Sequence, residues 1–322
     1  MDESAKIGLV AIGRNEGERL KHCLRSVPRH TPIVYVDSAS TDGSVDFARS
    51  VGALIVQLDL TMPFTAARAR NAGLEAILRN SPGLEFVQFV DGDCEIEPAW
   101  LAAAETFLMS KPTAAAVCGR RRERYPERSI YNKMFDAEWD TPIGEADACG
   151  GDAMFRTDAL AQVQGYDPAI IAGEEPELCF RLRGAGWSVW RIDRPMTIHD
   201  ADMHRARQWW MRAVRSGFGY AQVWQKTKGS KEKALYGRQV ASALGWTVGI
   251  ALVGVASAIA FGPIGAAVTP LLWMLQFARL SLRGGRIWGW HILVGKFAEA
   301  VGILRFVAGR IGGRKQGAIF YK

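Results

Sequence analysis

The chain has 322 residues, 48% of them hydrophobic and 23% charged, so it can hold one large domain or two ordinary ones with an ample core. Its formal charge of +7 is unevenly placed: residues 1–204 carry 22 Lys+Arg against 31 Asp+Glu, residues 205–238 carry 9 against 1, residues 279–322 again carry 9 against 1, and the 40 residues 239–278 carry none. Basicity on both sides of an uncharged apolar block fits a membrane protein and argues against a nucleic-acid binder, which needs its basic residues on the folded domain.

Cys23, Cys94, Cys118, Cys149 and Cys179 are scattered, without a CxxC pair or ligand spacing, so neither a disulfide framework nor a zinc site is expected and reduced thiols fit best. Residues 1–6 are polar and run straight into a strand-like segment, which predicts no secretory signal and a cytoplasmic start. The apolar run 7–12 is followed by a loop at 13–17 and a helical pattern with Leu20, Cys23 and Leu24 on one face. A second run, 32–36, ends in Asp37 and a hydroxyl-rich loop, and a third covers 53–58. Strands alternating with helices at this spacing predict a parallel sheet of βαβ units whose C-terminal loops carry function. The first loop is not a GxGxxG fingerprint, and the Asp37 loop is not an EF-hand because Ala48 stands where a bidentate glutamate is required. Asp37 can accept a hydrogen bond from a nucleotide base or cap its own turn.

Residues 62–78 read as a loop entering an amphipathic helix with Arg68 and Arg70 near its start. Cations are disfavoured there by the helix dipole, so either one is held by an anion such as a phosphate or both are salt-bridged or solvated. The strand at 86–90 then ends in Asp91-Gly92-Asp93. Two carboxylates around a glycine at a strand end suit a divalent cation, with a solvated acidic turn as the alternative. Residues 98–108 read as a helix, and a strand near 117–119 ends in the basic run 120–124, which faces anionic lipid, a diphosphate or plain solvent. Gly150, Gly151 and Asp152 form a turn that lets the backbone approach a ligand. A helix expected to start near Pro176 buries Leu178 and Leu182, and Glu174 and Glu175 precede it at its positive end, as caps or as partners of the cation site.

Laid out in order, these loops resemble glycosyltransferase family 2, the inverting nucleotide-sugar transferases of the GT-A fold. The matching pieces are Asn15-Glu16-Gly17, Val36-Asp37 with Ser40, Asp42-Gly43-Ser44, residues 69–73 (Ala-Arg-Asn-Ala-Gly), Asp91-Gly92-Asp93, Gly150-Gly151, and residues 173–178 with Arg181, Gly186 and Trp187. They run in family order over about residues 6–225. The resemblance implies an α/β, Rossmann-like GT-A domain and a donor site made by Asn15, Glu16, Asp37, Arg70, Asp91 and Gly92. Asp37 would meet a uracil base, Arg70 the nucleotide, and Asp91 the ribose or the metal-bound diphosphate. Asp93 would ligate Mg2+ or Mn2+ directly, with Asp91 and His199 beside it, and Gly150, Gly151 and Asp152 would line the donor or acceptor. Glu175 falls where the family places its catalytic base; it departs from the usual aspartate, and Glu174 is the fallback. His199 is otherwise a structural histidine. Residues 208–212 depart from the QxxRW motif of processive synthases, which implies addition of a single sugar.

The uncharged 40-residue block is about twice the ~20 residues one membrane-crossing helix needs, and Gly262-Pro263 divides it near the middle. A helical hairpin, about 240–260 and 264–280, would leave both basic flanks in the cytoplasm; one tilted span with an interfacial helix is the alternative. Residues 287–308 include His291, Lys296, Glu299 and Arg305 and read as an amphipathic helix in the membrane interface, followed by a basic tail. The expected layout is a catalytic domain over 1–230, a membrane hairpin over 231–285 and an interfacial helix with tail over 286–322. The expected protein is a metal-dependent hexosyltransferase at the inner membrane with its catalytic domain in the cytoplasm. It would move one sugar from a UDP-linked donor to a lipid-linked saccharide in cell-surface or exopolysaccharide synthesis. The rival reading is a catalytically inert, membrane-tethered nucleotide-sugar-binding protein.

Overall fold

The structure is a computed structural model that describes residues 6–59 and 61–313. The first five residues and the end of the basic tail lie outside the described residues. The chain divides into two compact units, Met1–His204 and Arg205–Lys322.

The N-terminal unit is built on a nine-stranded sheet. Its first half consists of β1 (Ile7–Gly13), β2 (Ile33–Asp37), β3 (Leu54–Gln57) and β4 (Phe86–Asp91), all parallel, in the order β3-β2-β1-β4. Their crossovers are α1 (Glu18–Arg25), α2 (Ser44–Ser50) and α3 (Ala66–Asn80). Leu20, Cys23 and Leu24 are buried as their spacing predicts. α3 lies close to the sheet because Gly73 has no side chain: a Cβ there would come within 2.3 Å of Val10 and 2.9 Å of Val36.

Beyond β4 the sheet is mixed rather than all-parallel. The chain continues through β5 (Cys94–Ile96), α4 (Trp100–Ser110), β6 (Ala114–Glu123), α5 (Ile130–Glu138), β7 (Gly144–Glu145), β8 (Ala153–Arg156), α6 (Thr157–Gln162), α7 (Glu174–Gly184) and β9 (Ser188–His199). β8 inserts between β4 and β6, antiparallel to both, while β9 runs parallel to β6. The cause is local. The Gly150-Gly151-Asp152 turn is held at the C-terminal end of β4, where Asp152 Oδ1 accepts from the Asp91 amide at 3.0 Å, so the strand leaving that turn can only run back down the sheet. Phe86, Phe89, Met154 and Phe155 fill the centre of this sheet, fully buried.

The C-terminal unit is helical: α8 (Ala206–Thr227), α9 (Gly237–Leu244), a π-helical turn (Gly245–Gly249), α10 (Ile250–Phe261), α11 (Pro263–Ala266), α12 (Val268–Gly284) and α13 (Arg286–Ile311). The break between α10 and α11 falls at Gly262-Pro263, with Gly262 at φ 62°. The helices on its two sides, Gly237–Phe261 and Pro263–Gly284, are long and apolar enough to cross a membrane, with mean hydropathies of 2.0 and 1.2. Leu252, Ile259, Phe261 and Ile264 are exposed along them. α8 falls in this unit, whereas the sequence reading put it in a domain ending at 230. Small residues explain the difference, because a Cβ at Gly217 would come within 2.0 Å of the Glu299 carbonyl oxygen and one at Gly302 within 2.0 Å of the Val214 carbonyl oxygen. α8 and α13 therefore meet backbone to backbone. Gly289, Leu293, Gly295, Ala298 and Gly302 are buried along α13, so it is a packed helix of its unit rather than one with a single apolar face.

Candidate active site

The first two strand ends form one loop pair. Asn15, at φ 54°, donates its amide to Ser40 Oγ at 2.9 Å, and its side-chain oxygen accepts from the Thr41 amide at 2.7 Å. Glu16 pairs with Arg19, in the first turn of α1, at 2.8 Å. Asp37, buried at the end of β2, accepts from the Ala39 and Ser40 amides, each at 3.0 Å, and from the Tyr35 hydroxyl at 3.3 Å. Asp37 thus caps its own turn and fixes the loop.

Arg70 sits at the centre, only 2% exposed. Its Nη1 donates to Glu174 Oε1 at 2.7 Å and its Nη2 to Asp91 Oδ1 at 2.8 Å, joining α3, α7 and the end of β4. Burial works against its charge, but Asp91, Tyr166 and Glu174 over-compensate and hold it protonated. The anion anticipated for this helix start is therefore a pair of carboxylates. Arg68 is not part of the group: its guanidinium donates to the Asp59, Met62 and Pro63 carbonyls. On the other side of Asp91, Arg121 bonds Asp152 Oδ2 at 2.7 Å, approaches Asp91 Oδ2 at 3.9 Å and lies over the Trp139 ring. Burial raises the carboxyl pKa of Asp91, Arg70 lowers it and Asp152 raises it further, with a net upward shift. Gly151 closes on this cluster, since a Cβ there would come within 2.9 Å of both Arg70 Nη2 and Asp91 Oδ2. The Gly92 amide donates to the Ile12 carbonyl at 2.8 Å, tying the acidic turn to β1.

Past Gly92 the chain reverses and Asp93 points the other way. Its Oδ1 lies 3.4 Å from His199 Nε2, and the opposite ring nitrogen is 3.6 Å from Glu123 Oε2. The antiparallel register of β5 with β9 sets Cys94 opposite His199. Asp93, Cys94 and His199, all buried, present ligand atoms within 4.8 Å of one another. A carboxylate and an imidazole suit Mn2+ or a similar ion, and the Glu123 carboxylate lies behind the imidazole. Asp91 does not belong to this trio, because its carboxylate is engaged by Arg70.

α7 starts at Glu174, two residues earlier than expected, because Gly173 at φ 83° takes the left-handed N-cap geometry and Pro176 still falls in the first turn. Glu174 and Glu175 are therefore inside the helix, and they diverge. Glu174 holds Arg70. Glu175 turns under the 149–150 turn, where Oε1 accepts from the Cys149 amide at 2.6 Å and the Cys179 thiol at 2.9 Å. It is 3% exposed, and its Oε2 is buried without a hydrogen-bond partner. Burial raises its pKa, partly offset by the Cys179 and Cys149 hydrogen bonds.

Sequence reasoning reached Arg121 only as one member of a basic run and missed Glu123, Trp139 and Tyr166. The run 120–124 looks like one basic face, yet only Arg122 is exposed: Arg120 bonds Asp136, Arg124 pairs with Glu95, and Arg121 and Glu123 serve the site. A glutamate inside an arginine run was the available signal.

This sheet order, a parallel half ending in a carboxylate turn beside a mixed half, is that of a GT-A type α/β domain. Residues 10–163 match the model of glycosyl transferase family 2. That stretch carries a family 2 glycosyltransferase domain. The succinoglycan biosynthesis protein ExoA of Rhizobium meliloti (strain 1021) is 23% identical over 194 residues, covering 56% of this chain and 57% of its own length. The chain thus matches little more than half of that relative. Among solved structures, the mannosyltransferase PcManGT from Pyrobaculum calidifontis, in complex with GDP-Man and Mn2+, is similar with a TM-score of 0.64 and 23% identity, over 93% of this chain and 87% of that one. S. aureus TarS 1-349 gives 0.54 and 14%, over 96% and 92%.

Proposed function

We propose that the chain is an inverting, metal-dependent transferase that moves one sugar from a nucleotide-diphosphate donor to a lipid-linked saccharide at a membrane surface. One observation carries the reading. Two buried acids with distinct surroundings flank a cationic centre: Asp93 against His199, and Glu175 with an unpartnered oxygen, on either side of Arg70, Asp91 and Arg121.

Each group has a role on that reading. A divalent ion held by Asp93 and His199 supplies charge stabilisation for the departing diphosphate. Arg121 lies where it can share that charge, and Asp152 fixes its guanidinium. Arg70 keeps Asp91 and Glu174 in place. Glu175 accepts the proton of the attacking hydroxyl at Oε2, and a pKa raised by burial makes it a stronger base than an exposed glutamate. Attack from the face opposite the leaving group inverts the anomeric centre. The loop pair of Asn15, Glu16 and Asp37 supports the base and ribose of the donor, with Gly150 and Gly151 closing over it.

The donor is taken to be UDP-linked from the family resemblance. The mannosyltransferase relative carries GDP-Man, so the deciding assay is a panel of UDP- and GDP-sugars with Mg2+ or Mn2+ and a membrane lipid extract as acceptor. Release of nucleoside diphosphate that requires metal and acceptor supports the reading. Donor binding with no turnover under any combination overturns it in favour of an inert binding protein. The exposed apolar faces of α10, α11 and α12, between basic flanks, support insertion as a hairpin with the catalytic unit in the cytoplasm. A topology reporter fused after Lys322 that is active only outside the cytoplasm would defeat that arrangement.

A further inference from the structure

The five cysteines are spread along the sequence, yet three meet in the fold. Cys149 from the turn above β8 and Cys179 from α7 bring their sulfurs, with a Glu175 carboxylate oxygen, within 4.8 Å of one another. Cys118 on β6 lies near them and helps push the Cys149 thiol pKa up. Helical spacing explains part of this: residues 175 and 179 are four apart and share a face of α7. The Cys179 thiol already donates to Glu175 Oε1 at 2.9 Å, while Oε2 is buried and unpartnered.

We propose that Cys149, Cys179 and Glu175 form a second metal site, for a soft divalent ion of the zinc and cadmium class, distinct from the Asp93–His199 site. The donor sets differ in thiol content: two thiols and a carboxylate here, one thiol (Cys94) beside a carboxylate and an imidazole at the Asp93–His199 site. Thiolates select zinc-like metals, whereas Mg2+ takes oxygen ligands and Mn2+ favours them. Neighbours in a tetrahedral zinc shell stand roughly 3.5–4 Å apart, given Zn–S bonds of about 2.3 Å, so a spread within 4.8 Å closes with small side-chain rotations. Both thiols are buried or half-buried and neutral, so binding releases two protons and leaves two thiolates and one carboxylate around the cation. Resting on the assignment of Glu175 as base, the ion would bind the same carboxylate that accepts the substrate proton. Soft metal would then arrest transfer while Mg2+ or Mn2+ at the other site supports it.

The test titrates Cd2+ into the purified full chain in excess Mg2+ and follows the ultraviolet thiolate-to-cadmium charge-transfer absorption, with Zn2+ as competitor. One saturable site is expected. Its affinity should fall at least about tenfold in Cys179→Ser, which keeps a hydroxyl donor to Glu175, and likewise in Cys149→Ser and Glu175→Gln. Circular dichroism of each variant establishes that it is folded. No absorption in the unmodified chain, or full affinity retained in Cys179→Ser and Glu175→Gln, overturns the site. Absorption lost only in Cys118→Ser also overturns it, because the ion would then lie between Cys118 and Cys149. Transfer measured in the same titration tests the base separately: undiminished turnover with cadmium bound leaves the site standing and refutes Glu175 as base.

Discussion

Replacing Arg70 with methionine keeps a long apolar stem but removes the guanidinium that holds two carboxylates. Arg70 is 2% exposed, the Glu174 side chain 11% and the Asp91 side chain 31%. Asp91 keeps partial access to water and the Arg121 guanidinium at 3.9 Å, so its share of the loss is screened. Glu174 has less water, and most of the penalty falls there. Removing one partner of a buried pair typically costs about 3–5 kcal/mol. Because Arg70 joins α3, α7 and β4, the loss appears as easier opening of all three. Amide hydrogen exchange of the full chain should show protection of those segments reduced on the order of a hundredfold to a few thousandfold, at ~1.4 kcal/mol per tenfold. Arg70→Lys should fall between, since one ammonium cannot span both acids as the planar fork does. Adding Glu174→Gln to Arg70→Met should recover a substantial part by removing the stranded charge. A loss below about 1 kcal/mol in Arg70→Met, or no recovery in the double variant, would refute the view that this pair is dry and structural.

Two further outcomes are expected. Because burial raises the Glu175 pKa, the acidic limb of kcat/KM should lie above the ordinary glutamate range, with activity rising as the carboxylate ionises. The stability contribution has the opposite sign: a carboxyl with a raised folded pKa favours the fold at low pH and loses that contribution as pH rises through the folded value. A limb at ordinary glutamate pH would remove Glu175 from the base role. Gly151→Ala puts a methyl 2.9 Å from both Arg70 and Asp91, so it should cut transfer at least about tenfold while overpacking costs only ~1–3 kcal/mol of stability. Wild-type turnover in that variant would show that the turn is not held closely against the cluster.

The sequence made the strand-end loops legible because each ends an apolar run in residues that a strand interior would not tolerate. Asp91 and Asp93 stand out in this way, the Gly150–Asp152 turn stands out as a double glycine before an apolar run, and Glu174 and Glu175 follow a glycine at a helix start. What stayed hidden depends on register and on direction. Arg121 and Glu123 reach the site because irregularities in the β6–β9 pairing let Glu123 fall opposite His199, and no local pattern encodes that offset. The antiparallel β8 was hidden for a related reason, since its direction follows from a hydrogen bond between residues 91 and 152. The cysteine cluster was invisible because its members come from three separate elements.

The backbone contacts of Gly217 and Gly302 bear on where the C-terminal unit can hold its shape. Large apolar side chains bind helices together by escaping water, a drive that vanishes when hydrocarbon replaces water outside. Close backbone approach at glycines works through dispersion and shape, which act in either medium. A helical frame joined at such points has a packing that does not depend on which medium surrounds it.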